Sequence, residues 1–157
     1  MFQLWYARGF LRSAMAEQPK LIALDLGERR IGLAVSGPGG MSLPAGHIVR
    51  SKLAQDVQKV IDSAKEHQAQ GVVVGIPYTL DGKVGEAVRL ARGFIRALRR
   101  TISEKSLAIY EMDERYTSVE AEGLLRESGV QPSRDRASVD ETAAMLILQR
   151  FLASREN

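Results

Sequence analysis

Lys20-Leu21-Ile22-Ala23-Leu24-Asp25-Leu26-Gly27-Glu28-Arg29-Arg30-Ile31-Gly32-Leu33-Ala34-Val35-Ser36 is the stretch that decides the fold. Two apolar runs flank a polar break from Gly27 to Arg30, the pattern of a β-hairpin with a tight turn. Side chains alternate along a strand, so Leu21, Ala23 and Asp25 share one face and Ile22, Leu24 and Leu26 the other. Asp25 is therefore a carboxylate inside an apolar strand. A lone ionised carboxylate in such a place costs several kcal/mol unless it is paired or binds a cation. The chain has two histidines and no cysteine, so carboxylates must carry the chemistry.

Beyond the hairpin, Gly37-Pro38-Gly39-Gly40 punctuates and a short third strand is expected around His47-Ile48-Val49. Residues 52–68 place Leu53, Val57, Val60, Ile61 and Ala64 at helical spacing. Gly71-Val72-Val73-Val74-Gly75-Ile76 is a continuous apolar run, typical of a strand covered on both faces. A second helix is predicted over 85–101, a fifth strand over 107–112, and a third helix over 117–128 behind the capping box Thr117-Ser118-Val119-Glu120. A polar loop over 131–138 then leads to a closing helix over 139–154. Hairpin strands followed by alternating helix and strand imply an α/β fold with a mixed five-stranded sheet and helices on both faces.

At 157 residues the chain fits one domain, with 45% hydrophobic and 26% charged residues as in ordinary globular proteins. No apolar stretch approaches the ~20 residues of a membrane span. The lack of cysteine excludes disulfides and thiolate zinc sites and suits a reducing cytoplasm. Residues 1–16 hold four of the nine aromatics (Phe2, Trp5, Tyr6, Phe10), with Arg8 and Arg12 their sole charges. They lack a continuous apolar core and a convincing cleavage site for a signal peptide. They read as an extension outside a domain spanning 17–157, an organellar transit peptide being the alternative.

The net charge of +3 says little, but its distribution says more. Residues 82–100 hold six basic side chains against the single acid Glu86. Arg89, Arg92, Arg96, Arg99 and Arg100 fall within about 100° of one another at helical periodicity, opposite Ala91, Phe94 and Leu98. Such a stripe can hold phosphates or be a solvated helix face. Two more acids sit as awkwardly as Asp25. Asp113-Glu114 follow the apolar strand directly, at the carboxyl end where α/β proteins gather their sites. Alternation admits only one of the two inward, and Glu114 is favoured, with Asp113 turned outward or bonding the loop. Asp140 opens the last helix on the stripe of Ala144, Ile147, Leu148 and Phe151. A carboxylate favoured by the helix dipole explains the end but not the inward face. Asp81-Gly82 is a turn dipeptide, with a role at the site's edge as the alternative. His47 and His67 lack metal-ligand spacing and read as ordinary loop or helix residues.

Four segments resemble, in order, the signatures of the YqgF/RuvX family. They are Ala23 to Ala34, Gly75-Ile76-Pro77 with Asp81-Gly82, Asp113-Glu114-Arg115-Tyr116-Thr117-Ser118, and Val139-Asp140-Glu141-Thr142-Ala143-Ala144. The likeness spans roughly Lys20 to Leu152. It implies a ribonuclease H-like fold and a nuclease, either maturing the 5′ end of pre-16S rRNA or resolving branched DNA at Holliday junctions. It also places the family's three acids on Asp25, Glu114 and Asp140. The chain departs from the family in Tyr78-Thr79-Leu80, where a leucine-led run is usual, and in the less uniformly basic loop 133–138.

Phosphodiester hydrolysis needs an activated water and charge neutralisation at the leaving oxygen, and two divalent cations can supply both. Mg²⁺ or Mn²⁺ takes oxygen ligands, which Asp25, Glu114 and Asp140 would provide on two strands and a helix. Arg29, Arg30 and Arg115 lie beside these acids and are placed to touch the scissile strand, with Arg92 and Arg96 as further substrate contacts. A resolvase cutting paired strands symmetrically would act as a homodimer, whereas an RNA nuclease could act alone. Two rivals stand against this reading. Sugar kinases share an Asp-x-Gly hairpin but need a second domain, for which 157 residues leave no room. A non-catalytic nucleic-acid or ribosome-associated module would have lost at least one of the acids, and all three are present.

Overall fold

The computed structural model describes residues 18–79, 81, 83–102, 107–115 and 136–155. The extension over 1–16, the third helix expected over 117–128 and most of the polar loop before the last helix lie outside the described residues.

The hairpin forms as the alternation requires. Strand β1 (Leu21–Leu26) pairs antiparallel with β2 (Arg30–Ser36), setting Asp25 opposite Gly32 and Leu26 opposite Ile31. A 3₁₀ turn at Pro38–Gly40 leads into β3 (Ser42–Val49), antiparallel to β2. This third strand begins earlier than its sequence suggested. The register slips between Gly32 and Ala34, so pairing with β2 resumes from Pro44 back to Ser42. Pro44 fits because β3 is an edge strand.

Helix α1 (Leu53–Glu66) then carries the chain to β4 (Gly71–Ile76), and α2 (Glu86–Thr101) carries it to β5 (Ala108–Asp113). Both new strands run parallel to β1, giving the order β3-β2-β1-β4-β5. All six residues of β4 are buried, because it is central and covered on both faces. Helix α3 (Arg136–Arg155) closes the chain.

Two cores follow from strand alternation. On one face Ile22, Leu24, Ile31, Leu33, Val72, Val74 and Ile76 pack against Val57 and Val60 of α1 and Phe94, Ile95 and Leu98 of α2. On the other face Leu21, Ala23, Ala34 and Val73 meet Ala144, Ile147, Leu148 and Phe151 of α3. The last helix starts at Arg136 rather than 139, so Asp140 sits past its first turn instead of opening it. The apolar stripe counted from Asp140 is buried as its spacing requires.

Asp56 is completely buried in the first turn of α1. It accepts hydrogen bonds from the Ser51 backbone N–H (2.9 Å) and Arg50 Nε (3.4 Å). Arg50 also donates to the Gly27 carbonyl at 2.8 Å, and its own N–H to the Arg29 carbonyl at 2.9 Å. One half-buried ion pair thus fastens the β1–β2 turn to the start of α1.

Candidate functional site

Asp25 lies near the carboxyl end of β1 on the face covered by α3, and its neighbours in the sheet on both sides are glycines. Gly32 stands opposite it on β2. On the β4 side, Leu24 is level with Val74, so Gly75 comes level with Asp25. Glu114 follows the last residue of β5, with its backbone N–H bonded to the Ile76 carbonyl at 3.1 Å. Alternation puts it on the side of Tyr110 and Met112, which pack in the α3 core.

Strands β1 and β5 are separated by β4, a gap of roughly 10 Å that two short carboxyl side chains span only if nothing stands between them. Gly75 provides that room. A Cβ built on it would fall 2.7 Å from Glu114 Oε2 and 2.5 Å from Ile147 Cδ1. Glu114 consequently reaches across the glycine and hydrogen-bonds to Asp25.

Both acids are buried, Asp25 at 9% exposure and Glu114 at 8%. Burial is the main reason both hold their protons too tightly: Asp25 is pushed up to about 6 and Glu114 to about 10. The hydrogen bond sorts the two. It lowers Asp25 and raises Glu114, so Glu114 keeps the proton and donates it to the Asp25 carboxylate. The charge of Asp140 adds to the rise at Asp25.

Asp140 comes down from the helix above. A Cβ at Gly32 would sit 2.1 Å from the Asp140 carbonyl oxygen, so the backbone of α3 rests directly on β2 beside Asp25. The Asp140 carboxylate lies 3.7 Å from Arg30 Nε. Among the described residues no three acid or histidine side chains already converge on one point. The structure thus places Asp25 and Glu114 in contact, with Asp140 close enough to act on Asp25 and drawn toward Arg30. The donor set still suits a hard divalent cation, because it offers carboxylate oxygens on three rigid elements.

Asp113 points away from the pair. It accepts hydrogen bonds from the Arg115 backbone N–H (3.0 Å) and Nε (2.8 Å), and Arg115 Nη2 lies 2.6 Å from it. Burial pushes its carboxyl up, but the Arg115 hydrogen bonds outweigh this and leave it below the usual range. Arg115 is held beside Glu114 by that clamp, and its carbonyl accepts from Arg150 Nη1 at 3.2 Å. Arg29 is exposed at the hairpin turn, and Arg92 and Arg96 are exposed on α2. Asp81 is an exposed turn residue bonded to the Thr79 hydroxyl and, at 3.1 Å, to the Lys83 N–H. His47 is exposed on β3, a strand position rather than a loop.

Sequence reasoning passed over Gly32 and Gly75, which make the acids' approach possible. Glycine inside an otherwise apolar strand was the available signal, since it often marks a close approach. It also passed over Arg50 and Asp56, whose partners are set only by the fold.

Residues 19–154 match the family model described as "RuvX: Holliday junction resolvase". The chain belongs to the RuvX family. Its similar relatives include a Synechococcus elongatus protein named "Putative pre-16S rRNA nuclease", 39% identical over 132 residues. That match covers 83% of this chain and 87% of the relative. A Roseiflexus protein of the same name is 36% identical over 143 residues, covering 90% of this chain and 99% of its own. Among solved structures, Thermus thermophilus RuvC in complex with a Holliday junction substrate is 15% identical at a TM-score of 0.56, covering 88% of this chain and 96% of that one. The fowlpox virus resolvase with junction DNA is 8% identical at 0.57, covering 88% and 99%. At such identities these two structures establish the ribonuclease H-like fold of this RuvX chain. The RuvX family is one of nucleases.

Proposed function

We propose that this RuvX chain is a divalent-metal-dependent nuclease that cuts structured RNA, with the 5′ end of pre-16S rRNA as its substrate. One observation carries the chemistry: two buried carboxyls on separate strands are hydrogen-bonded across a glycine, and a third is delivered by the helix resting on the other flanking glycine. Nothing in the packing requires such an arrangement, which keeps two acids from their ordinary ionisation. The rRNA substrate is supported by relatives of that name at 36–39% identity over most of their length.

Asp25, Glu114 and Asp140 would hold Mg²⁺ or Mn²⁺, which when bound neutralises charge on the scissile phosphate and lowers the pKa of an attacking water. Asp25 and Glu114 fix two oxygen-donor groups on strand ends, where backbone pairing limits their movement. Glu114 must release the proton it shares with Asp25 before it can serve as a ligand, so cation affinity rises with pH. Arg30 steers the Asp140 carboxylate. Arg115, clamped by Asp113, offers a guanidinium to a phosphate oxygen beside Glu114. Arg29, Arg92 and Arg96 extend the positive surface to flanking phosphates.

The nuclease domain spans 17–157 and residues 1–16 lie outside it, in keeping with a family match that begins at residue 19. No helix among the described residues is long and apolar enough to cross a membrane. A cytoplasmic site of action goes with the rRNA substrate. The second reading, resolution of branched DNA, is favoured by the family's description, and symmetric cutting of a junction would call for a homodimer.

Side-by-side cleavage of a 5′-extended 16S precursor RNA and a four-way DNA junction, each with Mg²⁺ and with Mn²⁺, tests the proposal. Asp25→Asn should abolish cleavage and leave the circular dichroism spectrum unchanged. Full activity in that variant would sink the carboxylate site, and cutting of the junction alone would transfer the function to the second reading.

A further inference from the structure

Just beyond β4, the chain turns so that one carbonyl serves two groups. The Ile76 oxygen accepts from the Tyr78 N–H at 2.9 Å and from the Glu114 N–H at 3.1 Å. Tyr78 is thereby fixed to the same backbone point as Glu114. Its ring is half-buried and packs against the core shared by α1, α2 and the sheet. Its hydroxyl accepts a hydrogen bond from Arg92 Nη2 at 3.0 Å, and the Arg92 guanidinium carbon lies 6.0 Å from the ring centroid. A rigid phenol thus grips an arginine that projects from α2.

Two properties separate Arg92 from the rest of its stripe. Its tether is a neutral phenol, so its positive charge is uncompensated, and no carboxylate pairs with it among the described residues. Arg89, Arg96, Arg99 and Arg100 are exposed on the same helix, and none has such a tether among the described residues. A guanidinium offers five N–H donors, and the Tyr78 bond uses only one. The remainder stay available as a planar fork, the geometry that matches a phosphate. Holding a long side chain in place beforehand removes part of the ordering cost that binding would otherwise carry.

We propose that Tyr78 is a positioning residue that holds Arg92 as a clamp for a backbone phosphate of the bound nucleic acid. The inference rests on the nuclease reading and adds to it the particular arginine that grips the strand and what aims it. It assigns Tyr78, where the chain departs from the leucine-led pattern, to substrate binding rather than to packing alone.

The test measures binding of a labelled 5′-extended 16S precursor RNA and a labelled four-way DNA junction in EDTA, over a range of salt, with cleavage followed separately in Mn²⁺. The proteins compared are wild type, Tyr78→Phe, Arg92→Ala, the double variant, and Arg100→Ala as a stripe control. Arg92→Ala should weaken binding about tenfold and lower the slope of log affinity against log salt by about one. Tyr78→Phe should weaken binding severalfold and keep the slope, since it retains the charge. The double variant should bind no worse than Arg92→Ala, because Tyr78 acts through Arg92. KM should rise in Tyr78→Phe with kcat held within twofold, and all melting temperatures should stay near that of wild type. Additive losses in the double variant, or an Arg92→Ala protein indistinguishable from Arg100→Ala, would overturn the clamp while leaving the nuclease reading intact. A wild-type protein that neither binds nor cuts either nucleic acid would overturn both. Were Arg92→Ala to lose its fold, Arg92→Gln supplies the same charge removal with the side chain's length kept.

Discussion

Replacing Gly32 with alanine should separate the acids without touching one of them. Gly32 carries no side chain, and α3 uses the room. A Cβ there would lie 2.1 Å from the Asp140 carbonyl oxygen, 2.3 Å from its carbonyl carbon and 2.9 Å from its Cβ. Two of these are backbone atoms of a long helix anchored by Ile147, Leu148 and Phe151, so no side-chain rotation relieves the overlap. Ordinary contact requires α3 to retreat by about 1 Å, and close-packed interiors yield little at that scale. Overpacking of this kind costs about 1–3 kcal/mol, and removing glycine from a strand returns at most about 1 kcal/mol. The contact is severe and falls on backbone, so a net loss of about 2 kcal/mol is expected. For a chain of this length that lowers the melting temperature by about 4–8 °C. Activity should fall further than stability, on the order of 100-fold, because a shift of ~1 Å carries Asp140 away from Asp25. Thermal melting and initial cleavage rates in Mn²⁺ measure the two effects. Gly93→Ala in α2 is the control, because a Cβ there finds only Arg96 Nη2, at 3.7 Å. It should stabilise by about 0.5–1 kcal/mol and leave cleavage unchanged. A Gly32→Ala protein with wild-type melting and activity would refute the claim that the helix rests on this glycine.

Further outcomes follow from the buried acids. Glu114 titrates higher in the folded chain than its ordinary 4.5, so the stability tied to its protonated form is complete below that value and is lost as pH rises toward about 10. Asp25 withdraws its own share between its ordinary 3.8 and about 6. Glu114→Gln can still donate to Asp25 but cannot ionise. In EDTA it should exceed wild type by on the order of 3 kcal/mol at pH 7, with the advantage gone by pH 4.5, while losing cleavage. Parallel stability–pH curves for the two proteins, by urea denaturation, would contradict the buried-pair assignment. Asp56→Ala leaves Arg50 without its carboxylate and should cost about 2–4 kcal/mol. It should also speed amide hydrogen exchange in the turn from Gly27 to Arg30, and protection as in wild type there would show that Arg50 does not fasten the turn.

How far the sequence could be read depended on whether a signal was local. The hairpin at β1 and β2, the doubly covered β4 and the buried stripe of α3 are periodicities, and periodicity needs no partner to be seen. The same alternation separates Glu114 from Asp113, because adjacent strand residues must face opposite ways. The early start of β3 escaped because its residues 42–46 include Pro44 and Gly46, which propensity reads as loop while an edge strand tolerates them. The start of α3 at Arg136 escaped because two polar residues and an alanine carry no apolar period.

By itself, then, the sequence determined the hairpin, the buried β4, the apolar stripes of the described helices, the face each presents, and three acids set where an apolar pattern does not explain them. Only the tertiary structure decided that Gly75 lets Glu114 reach Asp25, that Gly32 seats α3 beside them, that Arg30 meets Asp140, and that Tyr78 grips Arg92. These are contacts between residues far apart in the chain, and their distances exist only once the sheet has brought β1, β4 and β5 side by side. Residue spacing along one element encodes which side a group faces, whereas pairing of strands fixes what it meets there.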